Sequence, residues 1–181
     1  ALAAFGAIGQ GMQIQFDKLN AAGGVGGIQV QVDAKDDAYD PTKTPAVVSE
    51  LIDQDKIAAS AIQIGTPNVA ASQKLYEDSC TPQLFVGSGA TTFGRDYAQF
   101  PDTIGFQPTY QAEGWVYGKY LAHMAPGATI AVLFQKDDYG KDLLIGLKRG
   151  LQRSKAKVIA AQPYDALTSA DVSAQMAKLK A

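Results

Sequence analysis

Phe5, Ile8, Met12, Phe16 and Leu19 recur every three or four positions among polar and small residues, which predicts an amphipathic helix ending near Asn20. The glycine-rich run AAGGVGG then stops it, and Ile28, Val30 and Val32 alternate with polar residues as a strand does. This order is helix, glycines, strand. A dinucleotide fingerprint needs strand, glycines, helix, so the cluster reads as a C-cap and turn rather than a phosphate cradle. Asp40 followed by Pro41 marks a helix start with Asp as N-cap and Pro at N1, and the helix carries Val47, Val48, Leu51 and Ile52 to about Gln54. The apolar run 57–64 predicts a strand, the elbow Gly65-Thr66-Pro67-Asn68 opens a helix over 68–78, and 82–86 predicts the next strand. That strand ends in a second elbow, Gly87-Ser88-Gly89-Ala90-Thr91-Thr92.

From 93 to 102 the pattern lapses into a polar, aromatic loop; 103–106 makes a short extended piece and Pro108 breaks it. Beyond lie a helix over 111–124, stopped by Pro126-Gly127, and a strand over 129–134. A βα loop at Asp137-Asp138-Tyr139-Gly140, a helix over 143–151, a strand over 158–161 and a last helix over 171–179 complete the series. Strands alternating with helices across short links predict parallel sheets covered by helices. Right-handed crossovers place both elbows at the carboxyl edge of the first sheet, where ligands of open α/β sheets bind. We expect a first lobe over 1–107 and a partial second lobe over 108–181. An α/β lobe of this kind has a strand ahead of its first helix, and the sequence holds none before Ala1.

Composition narrows the function. At 181 residues, with 46% hydrophobic and 19% charged, the chain can bury a core. A net charge of -2 with interspersed signs lacks the basic footprint of a nucleic-acid or anionic-membrane partner. Polar residues or glycine interrupt every apolar run well short of the roughly 18 residues of a membrane span, which argues against direct membrane insertion. The opening segment has no basic n-region, so it reads as a helix of the fold rather than a targeting signal. Cys80, the single cysteine, allows no intrachain disulfide and reads as a small apolar filler ahead of a strand.

Candidates for catalysis are few. His123 sits in the last turn of its helix, where the dipole favours it, and no G-x-S-x-G nucleophile elbow exists. The acidic stretch DAKDDAYD lacks the spacing of a calcium loop, and the adjacent carboxylates Asp36/Asp37 and Asp137/Asp138 suit capping and solvation better than acid–base work. We expect no catalytic residue, metal or cofactor. Binding requires less. Glycine lets a ligand approach the backbone, the Thr66 hydroxyl can cap the helix or meet a ligand, and a carboxylate at such an elbow meets free N–H groups and the positive end of a helix dipole. Thr66 and Thr91 supply hydroxyls, the backbones around Gly65 and Gly89 supply close approach, and Tyr139 supplies an aromatic wall.

The segments FDKLNAAGGVGGIQV, DDAYDPTK, GTPN, PQLFVGSGAT and KDDYGKD, in this order, resemble the periplasmic substrate-binding proteins of branched-chain amino acid (Leu/Ile/Val) ABC transporters, the type I group. The resemblance implies an α/β fold of two doubly wound parallel-sheet lobes, here with the first strand of lobe 1 and the remainder of lobe 2 missing. It implies a ligand clamp in which Thr66, with Gly65, contacts the ligand. Ser88, Gly89, Ala90 and Thr91 contribute backbone and hydroxyl contacts, and Tyr139 closes over it from the second lobe. The function implied is an extracytoplasmic, periplasmic non-enzyme that captures an amino acid or an aliphatic or aromatic carboxylate and delivers it to an ABC transporter permease. A ligand-sensing receptor domain of the same fold and a doubly wound α/β enzyme are the alternatives.

Overall fold

The computed structural model describes residues 3–166 and 171–180. The chain divides into two compact units, Ala1–Tyr39 and Asp40–Ala181.

The first unit holds helix α1 (Ala3–Ala21) and the glycine turn. The Gly23 N–H bonds the Asn20 carbonyl at 3.0 Å and the Gly24 N–H the Leu19 carbonyl at 2.9 Å, the paired closing bonds of a Schellman cap. Gly23 takes φ of 106°, so the cap demands glycine there, as the sequence suggested. The strand expected at Ile28, Val30 and Val32 does not form; Val25 and Ile28 make only an isolated antiparallel bridge. No neighbouring strand supplies a ladder among the described residues of this unit. The side chain of Asn20 substitutes for one: its Nδ2 donates to the Val30 carbonyl at 2.7 Å and its Oδ1 accepts from the Val30 N–H at 2.8 Å.

In the second unit, α2 (Thr44–Asp53), β1 (Ser60–Ala61), α3 (Thr66–Asp78), β2 (Gln83–Val86), α4 (Thr92–Arg95) and β3 (Thr103–Gly105) come first. Next are α5 (Tyr110–Met124), β4 (Thr129–Gln135), α6 (Asp138–Gly150), β5 (Lys157–Tyr164) and α7 (Ser173–Lys180). Strands β1, β2 and β3 form one parallel sheet in that order, and β4 and β5 a second parallel pair. This is the mixed α/β pattern with parallel sheets that the alternation of periods predicts.

The differences are local. The Asp40 carboxylate accepts from the Thr42 N–H at 2.9 Å, but the turns it anchors precede the helix, which starts at Thr44 with Pro45 in its first turn. The strand expected over 57–64 shrinks to two residues plus a bridge between Ile64 and Gly87; Ile62 takes a left-handed φ of 55° that interrupts the extended run, while its N–H still bonds the Leu84 carbonyl at 3.0 Å. Cys80 is exposed rather than a buried filler. With φ of 52° it stands where a helix-ending glycine usually does: its N–H bonds the Glu77 carbonyl at 3.1 Å, and the Thr81 N–H bonds the Tyr76 carbonyl at 3.0 Å.

The apolar core around the elbows is small: Val69, Val86, Ala90 and Phe93, with Tyr110 packed on its edge. Helices α5 and α6 meet along a glycine seam. A Cβ on Gly114 would lie 2.3 Å from the Leu143 carbonyl oxygen, on Gly118 2.4 Å from that of Leu147, and on Gly146 2.2 Å from that of Gln111. The two backbones therefore touch, and whatever the first turns of α5 and α6 carry is held at fixed spacing.

Candidate functional site

The elbows lie side by side at the carboxyl ends of β1 and β2. Gly65 caps α3 at a φ of 102°, which only glycine adopts without strain, and its carbonyl accepts from the Val69 N–H at 2.9 Å. Thr66 is the first residue inside the helix, and no side chain caps it. The capping role expected of the Thr66 hydroxyl is thus absent; it hydrogen-bonds the Ser88 hydroxyl at 2.7 Å, with both residues buried. The Ser88 Oγ also accepts from the Ala90 N–H at 3.2 Å, which folds the second elbow onto itself.

At Gly89 the close backbone approach is real, but the approaching group belongs to this chain. The Tyr110 N–H donates to the Gly89 carbonyl at 2.7 Å, and a Cβ on Gly89 would fall 2.6 Å from the Pro108 carbonyl oxygen. The Tyr110 ring meets that of Tyr139 edge to face, with centroids 4.8 Å apart and planes at 74°. Tyr139 lies in the first turn of α6 rather than in a loop, because the Asp137 side chain accepts from the Gly140 N–H at 3.2 Å and starts the helix early. Burial pushes the Tyr139 phenol above its ordinary value, and the neighbouring Tyr110 and Glu113 act in the same direction, so it remains a neutral hydrogen-bonding group.

Thr91 reaches a residue that the sequence reading did not single out. The carboxylate of Asp142, only 6% exposed, accepts from the Thr91 N–H at 2.6 Å and from the Thr91 hydroxyl at 3.2 Å. Gln111 Nε2 donates to the same carboxylate at 2.7 Å, and the Gln111 carbonyl oxygen accepts from Arg149 at 3.0 Å. Tyr139, Asp142 and Gly146 share one face of α6 by their spacing, and that face meets α5 through Gly146. Spacing alone could have marked Asp142 as a carboxylate on an inward face; its partner, 51 positions away, could not have been read. All seven expected residues thus fall in one connected cluster. Two hollows, of about 600 Å³ beside His123 and Lys155 and about 350 Å³ beside Pro108 and Glu113, lie outside it.

Paired loops at the carboxyl edge of a parallel sheet, faced by the first turn of a helix from a second parallel pair, define the α/β architecture of this unit. The chain belongs to the periplasmic binding protein family, whose model matches residues 2–181. It is 28% identical over 171 residues to a leucine-, isoleucine-, valine-, threonine- and alanine-binding protein of Pseudomonas aeruginosa, covering 94% of this chain and 44% of that protein. It is 26% identical over 165 residues to the Leu/Ile/Val-binding protein of Escherichia coli, covering 90% and 43%. Among solved structures, a substrate-binding periplasmic protein from Ralstonia solanacearum superposes with a TM-score of 0.74 at 26% identity, over 93% of this chain and 47% of that one. The chain spans less than half the length of these relatives. The type I fold expected from the sequence is also that of the branched-chain amino acid binding protein LivJ from Streptococcus pneumoniae, at a TM-score of 0.74 and 22% identity.

Proposed function

We propose that this chain forms part of an extracytoplasmic solute-binding protein. The protein captures a small amino acid or carboxylate between two α/β lobes and hands it to an ABC importer in the periplasmic or equivalent compartment. The observation that carries the reading is the meeting of the two elbows through the Thr66–Ser88 hydrogen bond at the carboxyl edge of a parallel sheet. The relatives' names support a solute of this class. Lobe one is residues 1–107 and lobe two begins at 108, with the hinge at 106–108; the two separate sheets on either side of that segment support this division. Gly65, Thr66, Ser88, Gly89, Ala90 and Thr91 form the first-lobe half of the clamp, and Tyr139 is the second-lobe jaw. The protein performs no catalysis and needs no cofactor; capture and release come from hinge closure over contacts made only when closed.

Thermal denaturation with L-leucine, L-isoleucine and benzoate, each in excess, tests this. A binder present at about a hundredfold its Kd adds about 2.7 kcal/mol and raises Tm by about 5–10 °C in a chain of this length. In a full-length version of the protein, Thr66→Ala and Thr91→Ala each weaken binding by about 1–3 kcal/mol in calorimetry, through lost hydrogen bonds to the charged ligand. No response to any probe, or full affinity in both variants, overturns the assignment.

A further inference from the structure

The second elbow already holds a carboxylate. We propose that Thr91 and Gln111 form a carboxylate-binding subsite which the Asp142 side chain occupies as a built-in stand-in for ligand, so that an incoming carboxylate must displace it. The inference rests on the reading of the elbows as a solute clamp and adds two residues to it, Gln111 as a donor and Asp142 as a competitor.

Three donors converge on Asp142: the Thr91 N–H on Oδ2, and the Thr91 hydroxyl and Gln111 Nε2 on Oδ1. The orientation of the Gln111 amide is dictated by Arg149. A guanidinium only donates, so Gln111 turns its carbonyl oxygen to Arg149 and its NH₂ to the carboxylate. Such an array of one backbone N–H, one hydroxyl and one amide suits any carboxylate, free or tethered.

The contact is built to exchange rather than to lock. Asp142 is buried, yet it forms no salt bridge among the described residues; its hydrogen bonds come from neutral donors, and Arg95 acts on it only through its field, without contact. A buried carboxylate with no cation in direct contact loses hydration that its neutral partners only partly replace, so its net hold on the elbow is weaker than three hydrogen bonds suggest. When a ligand carboxylate takes the same donors, their hydrogen bonds are conserved and Asp142 regains water. The exchange is therefore close to balanced. A ligand competing with an internal occupant binds with an affinity reduced by the fraction of molecules in which the subsite is vacant. Asp142 sits in the first half of α6, three residues after Tyr139, so its release removes a tie between the second elbow and the helix that carries the proposed jaw.

The test uses the ¹⁵N-labelled 181-residue chain and follows the Thr91 amide by NMR, with sodium acetate as the carboxylate probe. In the wild type the Thr91 amide is protected from exchange and insensitive to millimolar acetate. In Asp142→Ala the amide loses its protection, and acetate restores both shift and protection. Asp142→Ser, which also removes the carboxylate, replaces it should the alanine variant fail to fold. A second arm measures benzoate and L-leucine by calorimetry. Removing Asp142 tightens binding of the responding probe about tenfold, the factor for a subsite vacant about a tenth of the time, and adding Thr91→Ala abolishes the gain. A Thr91 amide that ignores acetate in both Asp142 variants overturns the subsite, and one that responds equally in the wild type overturns the competition. If acetate fills the vacated donors but benzoate and L-leucine bind no variant, the subsite stands and the solute-clamp reading falls.

Discussion

Gly146 is the position where a single methyl group tests most of the architecture at once. On an exposed helix surface Gly→Ala stabilises by about 0.8–1.0 kcal/mol through backbone entropy. At Gly146 the new Cβ would stand 2.2 Å from the Gln111 carbonyl oxygen and 2.9 Å from the Trp115 backbone nitrogen. Ordinary contact begins near 3.4 Å, so α5 must retreat by about 1 Å, and the groups it meets are backbone, which cannot rotate away. Overpacking of this kind costs about 1–3 kcal/mol and outweighs the propensity gain. The net expectation for Gly146→Ala is a loss of about 1–2 kcal/mol, or about 2–8 °C in Tm for a chain of this size. Gly94→Ala is the control, since its Cβ would meet nothing within 4 Å and its backbone is not left-handed; it leaves Tm unchanged or raises it slightly. Urea denaturation of both variants against the wild type decides the matter. A Gly146→Ala protein as stable as the wild type would mean that α5 and α6 do not touch backbone to backbone.

Two further outcomes are expected. Hydrogen bonds of 2.7 and 2.8 Å from Arg95, followed by one of 2.8 Å from the Thr92 hydroxyl, hold the Asp96 carboxyl down to about 2 from its ordinary 3.8. A carboxyl lowered in the folded state stabilises above its unfolded value and loses that contribution as pH falls toward the folded one. Acid titration of stability should therefore show Asp96→Asn less stable than the wild type above pH 3.8, with the gap closing toward pH 2; a gap independent of pH refutes the assignment. In the first unit, Asn20→Ala removes both side-chain bonds to the Val30 backbone, a loss of about 1–2 kcal/mol locally. Hydrogen exchange at the Val30 amide reads it, and an unchanged rate refutes it.

Elements whose signals are local were legible in the sequence. α5 starts where Thr109 can cap it, its side chain accepting from the Ala112 N–H at 3.2 Å, and ends ahead of Pro126-Gly127; both ends fall within a residue of expectation. The glycine caps of α1 and the placement of both elbows at one sheet edge followed from order and spacing alone. The length of the first strand was not legible, because nothing local distinguishes an Ile62 that turns left-handed from one that continues a regular strand. Cys80 was misread for a similar reason: the C-terminus of α3 needs a left-handed residue, and the chain has cysteine where a glycine would have announced the turn. The seven expected site residues were found as a cluster, but the occupant of the second elbow comes from a helix far along the chain. Local pattern carries no information about a partner at that distance.

Short strands raise the question of what keeps the elbows in register. β1 spans two residues, β2 four and β3 three, too few ladder bonds to fix alignment against a slip. The register is pinned instead by buried side-chain amides and hydroxyls. Gln83, fully buried on β2, donates to the Gln63 carbonyl oxygen at 2.7 Å beyond β1, and its own carbonyl oxygen accepts from the Thr103 hydroxyl at 3.0 Å on β3. Ser72 on α3 donates to the same Gln63 oxygen at 3.1 Å, which ties the helix behind the first elbow into the network. A one-residue slip of β2 would turn Gln83 to the opposite face and leave several buried polar atoms unpaired, a penalty of about 1–3 kcal/mol for each. An apolar interior of the same volume would tolerate such a slip more readily. The polar interior beneath β2 is therefore what holds Ser88 within hydrogen-bonding distance of Thr66, and through that contact it sets the geometry on which the proposed clamp depends.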